Sequence, residues 1–169
     1  MKVIFLDIDG VLNCETTQEQ TREGVRFVED RFVERLKRIV DETGARVVLS
    51  SDWRYDRDYD EYNGDYLELK AKLSEYGIEF YGFTPAIYHE NRGHEIDAYL
   101  KAHEEVDRFV ILDDRCDMQP HLERLVRTSF AFGLQDEDVD EAIWLLNADE
   151  HDSILANERS DKIASWEYW

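Results

Sequence analysis

Three short apolar runs, each followed at once by a polar residue, constrain the fold of this chain more than any other feature. The runs are KVIFL at 2–6, RVVL at 46–49 and RFVIL at 108–112. Their β-branched and aromatic residues are typical of buried strands. The residues that follow them are Asp7, Ser50 and Asp113. The chain is therefore predicted to bring three polar side chains to the ends of three buried strands.

Helical segments separate these strands. The spacing of apolar residues predicts helices at 27–42, 66–76, 93–103 and 136–146, a short helix near 121–126, and further strands at 78–83 and 128–132. Residues 13–26 are predicted to form a loop with a small hairpin, and residues 52–65 a long acidic loop. Strands that alternate with helices indicate an α/β fold, a Rossmann-like three-layer sandwich around a central parallel sheet. Right-handed crossovers bring the carboxyl ends of its strands to one edge, where ligands bind.

Length and composition favour one globular domain. The chain has 169 residues, of which 43% are hydrophobic, and we expect a domain at 1–147 followed by a C-terminal tail at 148–169. No apolar run approaches a membrane span, so no membrane partner is expected. Cys14 and Cys116 form no CxxC pair, which favours a reduced, cytoplasmic protein. Trp166 and Trp169 in the tail are expected to cover an apolar patch, and a homodimer contact is the alternative.

The charge is strongly negative, with 40 acidic against 20 basic residues and a net charge of −20. Such a field repels polyanions, so tight general binding of nucleic acid is not expected. A solvated acidic surface explains the charge more simply than an acidic face for a partner protein.

The segment Asp7-Ile8-Asp9-Gly10 places two carboxylates two residues apart after the first strand. Both can face the same crevice while Ile8 packs away from it. One carboxylate can attack phosphorus, and the second can protonate the leaving oxygen and then activate water. The alternative is that both acids only cap the loop.

Asp113 and Asp114 form a second acidic pair at a strand end. Clustered carboxylates suit Mg²⁺, which prefers oxygen ligands, although an acidic turn would show the same residues. Mg²⁺ would also offset the repulsion of about 4 kcal/mol between a carboxylate and a phosphate about 4 Å away.

A phosphate also needs donors and a cation. Ser50 is the predicted hydroxyl donor. Arg92, just before the helix that starts at Gly93, is the first choice of cation, because a guanidinium binds phosphate in a bidentate way. Arg54 and Lys72 are the alternatives.

Four segments, in this order, resemble the motifs of the haloacid dehalogenase (HAD) superfamily of phosphohydrolases. They are FLDIDGVLN, VVLSSDWR, RGHEI and VILDD, within a resemblance that covers about residues 1–147. It implies an Mg²⁺-dependent phosphohydrolase with Asp7 as nucleophile and Asp9 as general acid/base. It further implies that Asp7, Asp9 (through its carbonyl), Asp113 and Asp114 hold the metal, and that Ser50, or Ser51 in its place, binds phosphate.

The third motif departs from the superfamily, because Arg92 stands where Lys is usual. The SSxWR form and the late Gly133-Leu134 pair are similar to small domains found with RNA-repair phosphatases. Neither interval between motifs has room for a full cap domain, which predicts an open site.

The substrate is predicted to be a phosphomonoester, either a nucleic-acid end or a small metabolite. Trp53 is a candidate for stacking on a base, with core packing as the alternative. Two non-enzymatic alternatives stay open: a phosphate- or metal-binding regulatory module, and a receiver domain phosphorylated on Asp. The second is disfavoured because the segment RTSFAFGL lacks the expected Lys.

Overall fold

The computed structural model of the chain describes residues 1–54, 64–148 and 153–166. The strands in these ranges are β1 Lys2–Leu6, β2 Arg46–Leu49, β3 Phe80–Phe83, β4 Arg108–Asp113 and β5 Leu125–Arg127. The α-helices are α1 Asp30–Thr43, α2 Gly64–Glu75, α3 Arg92–Ala102, α4 Asp136–Asn147 and α5 Ser153–Ala164. Within the same ranges no helix combines the length and apolar character needed to span a bilayer.

The strands form one sheet in the order β3-β2-β1-β4-β5, and every pairing is parallel. The α/β sandwich predicted from the alternation of strands and helices is thus confirmed. The central strand β1 lies between β2 and β4, so its carboxyl end has neighbours on both sides. This position makes Asp7 the centre of the strand-end edge.

The larger apolar core lies on one face of the sheet. Alternate strand residues such as Ile4, Leu6 and Leu112 point into it and are fully buried. Helices α1, α2 and α4 supply the other side, through residues such as Phe32 and Leu69. Gly44 ends α1 in a left-handed conformation, which glycine adopts readily.

The second core lies on the opposite face, where Phe5 packs edge-to-face against Tyr99 of α3. Trp166, 8% exposed, joins this core. Arg159 of α5 donates to the Leu125 carbonyl at 2.6 Å. The residues after α4 therefore contact the domain, and part of what was expected to be a polar tail is helical. Trp169 lies outside the described residues, and a homodimer stays a prediction.

The region before Gly133 differs from the sequence prediction. The strand expected at 128–132 is wrong: β5 ends at Arg127, and a short 3₁₀ helix at Leu122–Arg124 precedes it. The strand stops at Arg127 because its pairing with the neighbouring strand β4 ends there. The Thr128 amide donates to the Asp113 carbonyl at 3.0 Å, and the chain then turns into a loop closed by a bridge between Ser129 and Gly133.

The intervals between the motifs hold no cap domain in the described residues. Between Gly10 and Ser50 the chain forms α1 and a tight hairpin bridged at Gln20 and Arg26. Between Arg54 and Arg92 the described elements are α2 and β3. Most of the predicted acidic loop at 52–65 lies outside the described residues, and its start forms a 3₁₀ turn, Asp52–Arg54.

Candidate active site

Strand register places the three strand-end residues side by side. Leu6 of β1 pairs with Leu49 of β2 and with Leu112 of β4. One residue further on, the Asp7 amide donates to the Leu112 carbonyl at 2.9 Å, and the Ser50 amide donates to the Leu6 carbonyl at 2.8 Å. Asp7, Ser50 and Asp113 therefore meet at one level of the sheet edge, as the sequence analysis expected.

Asp7, Asp113 and Asp114 bring carboxylate oxygens to within 4.8 Å of one another. The three come from two strand ends separated by more than a hundred residues in the chain. Oxygen donors in such a cluster suit a hard divalent cation such as Mg²⁺. The side chain of Asp9, the fourth residue implied as a ligand, lies outside this cluster.

Gly10 allows Asp114 to take its place. Its φ of +82° is a conformation that favours glycine. A Cβ at this position would lie 2.7 Å from the Asp114 carboxylate. The glycine of the DxDG segment therefore serves both the sharp turn and the approach of the second acidic pair.

Burial makes the cluster electrostatically costly. Asp113 is 1% exposed, and burial together with the neighbouring Asp7 carboxylate raises its pKa well above the usual value. Burial also raises the pKa of Asp7, an effect that Arg92 and a hydrogen bond from Ser51 oppose. Buried carboxylates in contact need a compensating positive charge. This requirement, together with the all-oxygen donor set, shows that the residues present fit Mg²⁺.

Arg92 supplies part of that charge from the first residue of α3. Its Nη1 lies 2.9 Å from Asp7 Oδ1 and 2.9 Å from Asp113 Oδ2, and donates to the Ser50 carbonyl at 2.9 Å. The side chain is 5% exposed, and the neighbouring carboxylates raise its pKa despite burial. The structure thus places the predicted cation directly against the predicted nucleophile.

The start of α3 is fixed by contacts within the protein. Asn91 caps the helix by accepting a hydrogen bond from the His94 amide at 2.8 Å. Gly93 lies so close to the loop after β4 that a Cβ there would overlap the backbone of Met118 and Gln119. Arg92 is therefore held at the junction of α3 and the Asp113 loop.

The two serines after β2 have different surroundings. Ser50 is buried, and its hydroxyl has no hydrogen-bond partner among the described residues. Ser51 lines the crevice beside Asp7, and its side chain opposes the rise in the pKa of the Asp7 carboxyl. The placement favours Ser51, which the sequence analysis gave as the substitute for Ser50, as the hydroxyl that meets a bound phosphate.

Arg54 and Lys72, the alternative cations, lie elsewhere. Arg54 is buried, pairs with Glu95 at 2.5 Å and donates to the Ser51 carbonyl at 2.9 Å. Lys72 pairs with Asp30 at 2.7 Å on the surface of α2. Neither lines the crevice that contains Asp7. Arg54 thus supports the Ser51 backbone from behind.

Asp9 is held by two donors that the sequence analysis did not assign to it. The indole N–H of Trp53 donates to Asp9 Oδ2 at 3.1 Å, and the side-chain amide of Asn13 donates to Asp9 Oδ1 at 2.8 Å. Trp53 is 5% exposed and belongs to the larger core, so stacking of this residue on a base is excluded and packing is correct. The short separation of Asp9 and Asn13 in the sequence is the signal from which the Asn13 contact could have been predicted.

The carboxylates open into one crevice of about 230 Å³. The described residues that line it are Asp7, Asp9, Ser51, Asp52, Arg92, Asp114, Arg115 and Phe130. Phe130 and Arg115 were not among the predicted site residues, because neither belongs to a motif. Both residues of the first acidic pair and Asp114 of the second therefore face the same opening, while Asp113 is buried.

A parallel sheet whose central strand ends in a carboxylate, with an arginine and a second acidic pair around it, defines a small domain of the HAD superfamily. More narrowly, residues 3–139 match the family described as the HAD domain in Swiss Army Knife RNA repair proteins, and the chain belongs to that family. A search of the curated proteins found no match to the chain.

Proposed function

We propose that the chain is an Mg²⁺-dependent phosphomonoester hydrolase that works through an aspartyl-phosphate on Asp7. The observation that carries this proposal is the position of Asp7, which lines the crevice, contacts Arg92 and shares a carboxylate cluster with Asp113 and Asp114. Family membership supports a phosphohydrolase-type domain. The arrangement supplies a nucleophile, a cation and an oxygen donor set at one place.

Asp7, Asp113 and Asp114 would hold the metal, with the Asp9 carbonyl as the further ligand that the resemblance implies. Bound Mg²⁺ would neutralise phosphate charge and so permit the approach of one anion to another. Arg92 has donors directed at Asp7 and would share them with the phosphoryl oxygens. The Ser51 hydroxyl, beside Asp7, would donate to another of these oxygens.

The reaction then takes two steps. A carboxylate oxygen of Asp7 attacks phosphorus, and the bond from phosphorus to the leaving oxygen breaks as Asp9 donates a proton to that oxygen. Water next attacks the phosphoryl group while Asp9 accepts its proton. The Asp7–phosphate bond breaks, inorganic phosphate leaves, and Asp7 and Asp9 return to their first states.

The open crevice and the family suggest the substrate class. RNA repair appears in the description of the matched family, and we propose a nucleotide or nucleic-acid end phosphate, with a small phosphomonoester as the alternative. The absence of a cap among the described residues supports a bulky substrate. We place the reaction in the cytoplasm, supported by two free cysteines.

The proposal is tested by hydrolysis of p-nitrophenyl phosphate with Mg²⁺ or with EDTA. We expect activity with the metal, loss in EDTA, and loss in Asp7→Asn. Asp41→Asn makes the same chemical change on the exposed surface of α1 and serves as the control. Activity that survives Asp7→Asn would remove Asp7 as nucleophile. Binding of phosphate and Mg²⁺ without turnover on 3′- and 5′-phosphorylated oligonucleotides would favour the non-catalytic module.

A further inference from the structure

Phe130 is partly exposed at the reacting end of the molecule. It forms part of the wall of the crevice that contains Asp7 and Asp9, and its side chain is 39% exposed. Neither apolar core of the described residues includes it. An apolar ring in the wall of this crevice is placed where a bound ligand would remove it from water, which is favourable.

The loop that carries Phe130 is fixed relative to the catalytic strand. The Thr128 hydroxyl donates to the Gly10 carbonyl at 2.7 Å, and the Gly133 amide donates to the Ser129 carbonyl at 2.7 Å. The Phe130 carbonyl accepts from the Glu15 amide at 2.9 Å. The first and last of these bonds connect the loop to the segment after Asp9, and the second closes the loop on itself. A ring held in this way offers a preformed contact surface.

A cation accompanies the ring. The Arg26 guanidinium, carried by the hairpin after β1, lies 5.1 Å from the centroid of the Phe130 ring. Arg115 contributes a second guanidinium to the crevice wall. Aromatic rings and arginines beside a phosphate site are the groups on which nucleic-acid bases stack.

We propose that Phe130 and Arg26 form a stacking platform for the nucleobase next to the scissile phosphate. The inference rests on the proposed function and deepens it, because it selects a nucleotide end over a phosphorylated metabolite without a base. A substrate lacking a base fills the phosphate position and leaves the ring uncovered. Recognition is confined to the terminal nucleotide, which agrees with a chain of net charge −20 that repels longer polyanions.

The test compares kcat/KM for 3′- and 5′-phosphorylated dinucleotides with kcat/KM for glycerol phosphate. Phe130→Ala is expected to lower the value for the preferred dinucleotide roughly 5- to 100-fold, mainly through KM, because stacking contributes about that factor per base. Glycerol phosphate should change less than about twofold. Phe130→Trp, which keeps a stacking ring, should restore the dinucleotide value.

Phe132 offers a matched control two residues away. It lies on the same loop and is 67% exposed, but it does not line the crevice. Phe132→Ala should therefore leave kcat/KM unchanged for both the dinucleotide and glycerol phosphate. An equal loss of kcat/KM for the dinucleotide and for glycerol phosphate in Phe130→Ala would overturn the proposed platform. So would a wild-type protein that turns over the two substrates equally well, and this outcome would leave the proposed function intact.

A binding measurement separates failure of the platform from failure of the enzyme. The Asp7→Asn protein, which cannot turn over, is titrated with 2-aminopurine nucleoside monophosphate in the presence of Mg²⁺. Stacking should quench the fluorescence, and the added Phe130→Ala change should abolish the quenching. If no phosphomonoester is hydrolysed, quenching that depends on Phe130 still supports the platform, and quenching that does not depend on it overturns the inference.

Discussion

Trp53 donates its indole N–H to Asp9, with 3.1 Å between Nε1 and Oδ2. Asn13 donates to the other oxygen of the same carboxylate. Because Trp53 is buried in the core, its donor has a fixed position, and Asp9 is oriented by the interior of the domain. Trp53 is therefore a positioning residue that acts through the proposed general acid/base.

Trp53→Phe should lower kcat/KM more for substrates with a poor leaving group than for substrates with a good one. The variant keeps an aromatic ring in the core but removes the donor that orients Asp9. A leaving alkoxide needs a proton in the transition state, whereas a nitrophenolate leaves without much help. We expect kcat/KM to fall roughly tenfold or more with alkyl phosphates, within the range that general acid catalysis contributes. The fall with 2,4-dinitrophenyl phosphate should be much smaller.

Trp144→Phe is the matched control for this change. Trp144 packs against the same core from α4, and its indole N–H has no partner among the described residues. The substitution should leave the dependence on the leaving group unchanged. If Trp53→Phe lowers kcat/KM for both kinds of substrate by the same factor, Trp53 only maintains the fold and Asp9 is oriented by other groups.

Mg²⁺ should stabilise the protein through the carboxylate cluster. Binding at about 100 times Kd adds roughly 2.7 kcal/mol, which raises Tm by roughly 5–10 °C for a chain of this size. Asp114→Asn should lose most of this increase, because it removes one of the three clustered carboxylates. The measurement is a thermal melt with and without the metal.

Asp117 provides a control for non-specific attraction of Mg²⁺ to acidic residues. It lies three residues after Asp114, but its carboxylate pairs with Arg115 at 2.6 Å and lies outside the cluster. Asp117→Asn should keep the Mg²⁺-dependent increase in Tm. Equal loss in both variants would indicate diffuse attraction to an acidic loop and would contradict a defined metal site.

Most of the sheet was predictable because its strands are buried on both faces. The runs that became β1, β2 and β4 are apolar without interruption, and their polar ends marked the edge of the sheet. Strand β5 was misplaced because it has only three residues at the edge, where packing gives a weaker pattern. Phe130 and Phe132 then suggested a strand by propensity, although the loop exposes both of them.

The predicted site separates into parts that the motifs reveal and parts that only the fold reveals. Motif order was enough to bring Asp7, Asp113 and Arg92 together. The proposed preference for Ser51 over Ser50 depends on which of the two side chains reaches the crevice, which the motif does not specify. The hydrogen bond that Trp53 makes to Asp9 depends on three-dimensional packing that no sequence pattern specifies.

Arg54 was predicted as an alternative phosphate ligand, and its buried pair with Glu95 predicts a structural effect instead. Glu95 also accepts from the Ile87 amide at 3.0 Å, so the pair joins the loop after β2 to the segment before α3. Arg54→Met leaves Glu95 buried without its charged partner. The free energy of unfolding in urea should fall by about 3–5 kcal/mol.

Lys37→Met is the corresponding change in an exposed pair. Lys37 lies 2.6 Å from Asp41 on the surface of α1. Its loss should cost less than about 1 kcal/mol in the same urea experiment. Equal effects of Lys37→Met and Arg54→Met would mean that burial of the Arg54–Glu95 pair has no energetic consequence.

Tyr76 should give the protein a stability loss at high pH. Its hydroxyl donates to Asp30 at 2.7 Å, which raises its pKa from 10.0 to about 12. Below pH 10 the hydroxyl is protonated in the folded and unfolded states, and the bond contributes fully. Between pH 10 and 12 only the unfolded state ionises, so stability falls as pH rises. Tyr76→Phe should flatten that part of the curve of Tm against pH, and an unchanged slope would exclude the bond.

Gly93→Ala should separate α3 from the loop after β4. The added methyl group would overlap the backbone of Met118 and Gln119, neither of which can rotate away. We expect a loss of about 1–3 kcal/mol in the free energy of unfolding, typical of an overpacked site. Because Arg92 precedes this contact and holds Asp7, kcat on p-nitrophenyl phosphate should fall as well. Gly64→Ala is the control, since a Cβ at the first residue of α2 meets nothing within 4 Å among the described residues. It should leave stability unchanged or slightly raised. A Gly93→Ala protein with wild-type stability and activity would show that the Arg92 position does not depend on this close contact.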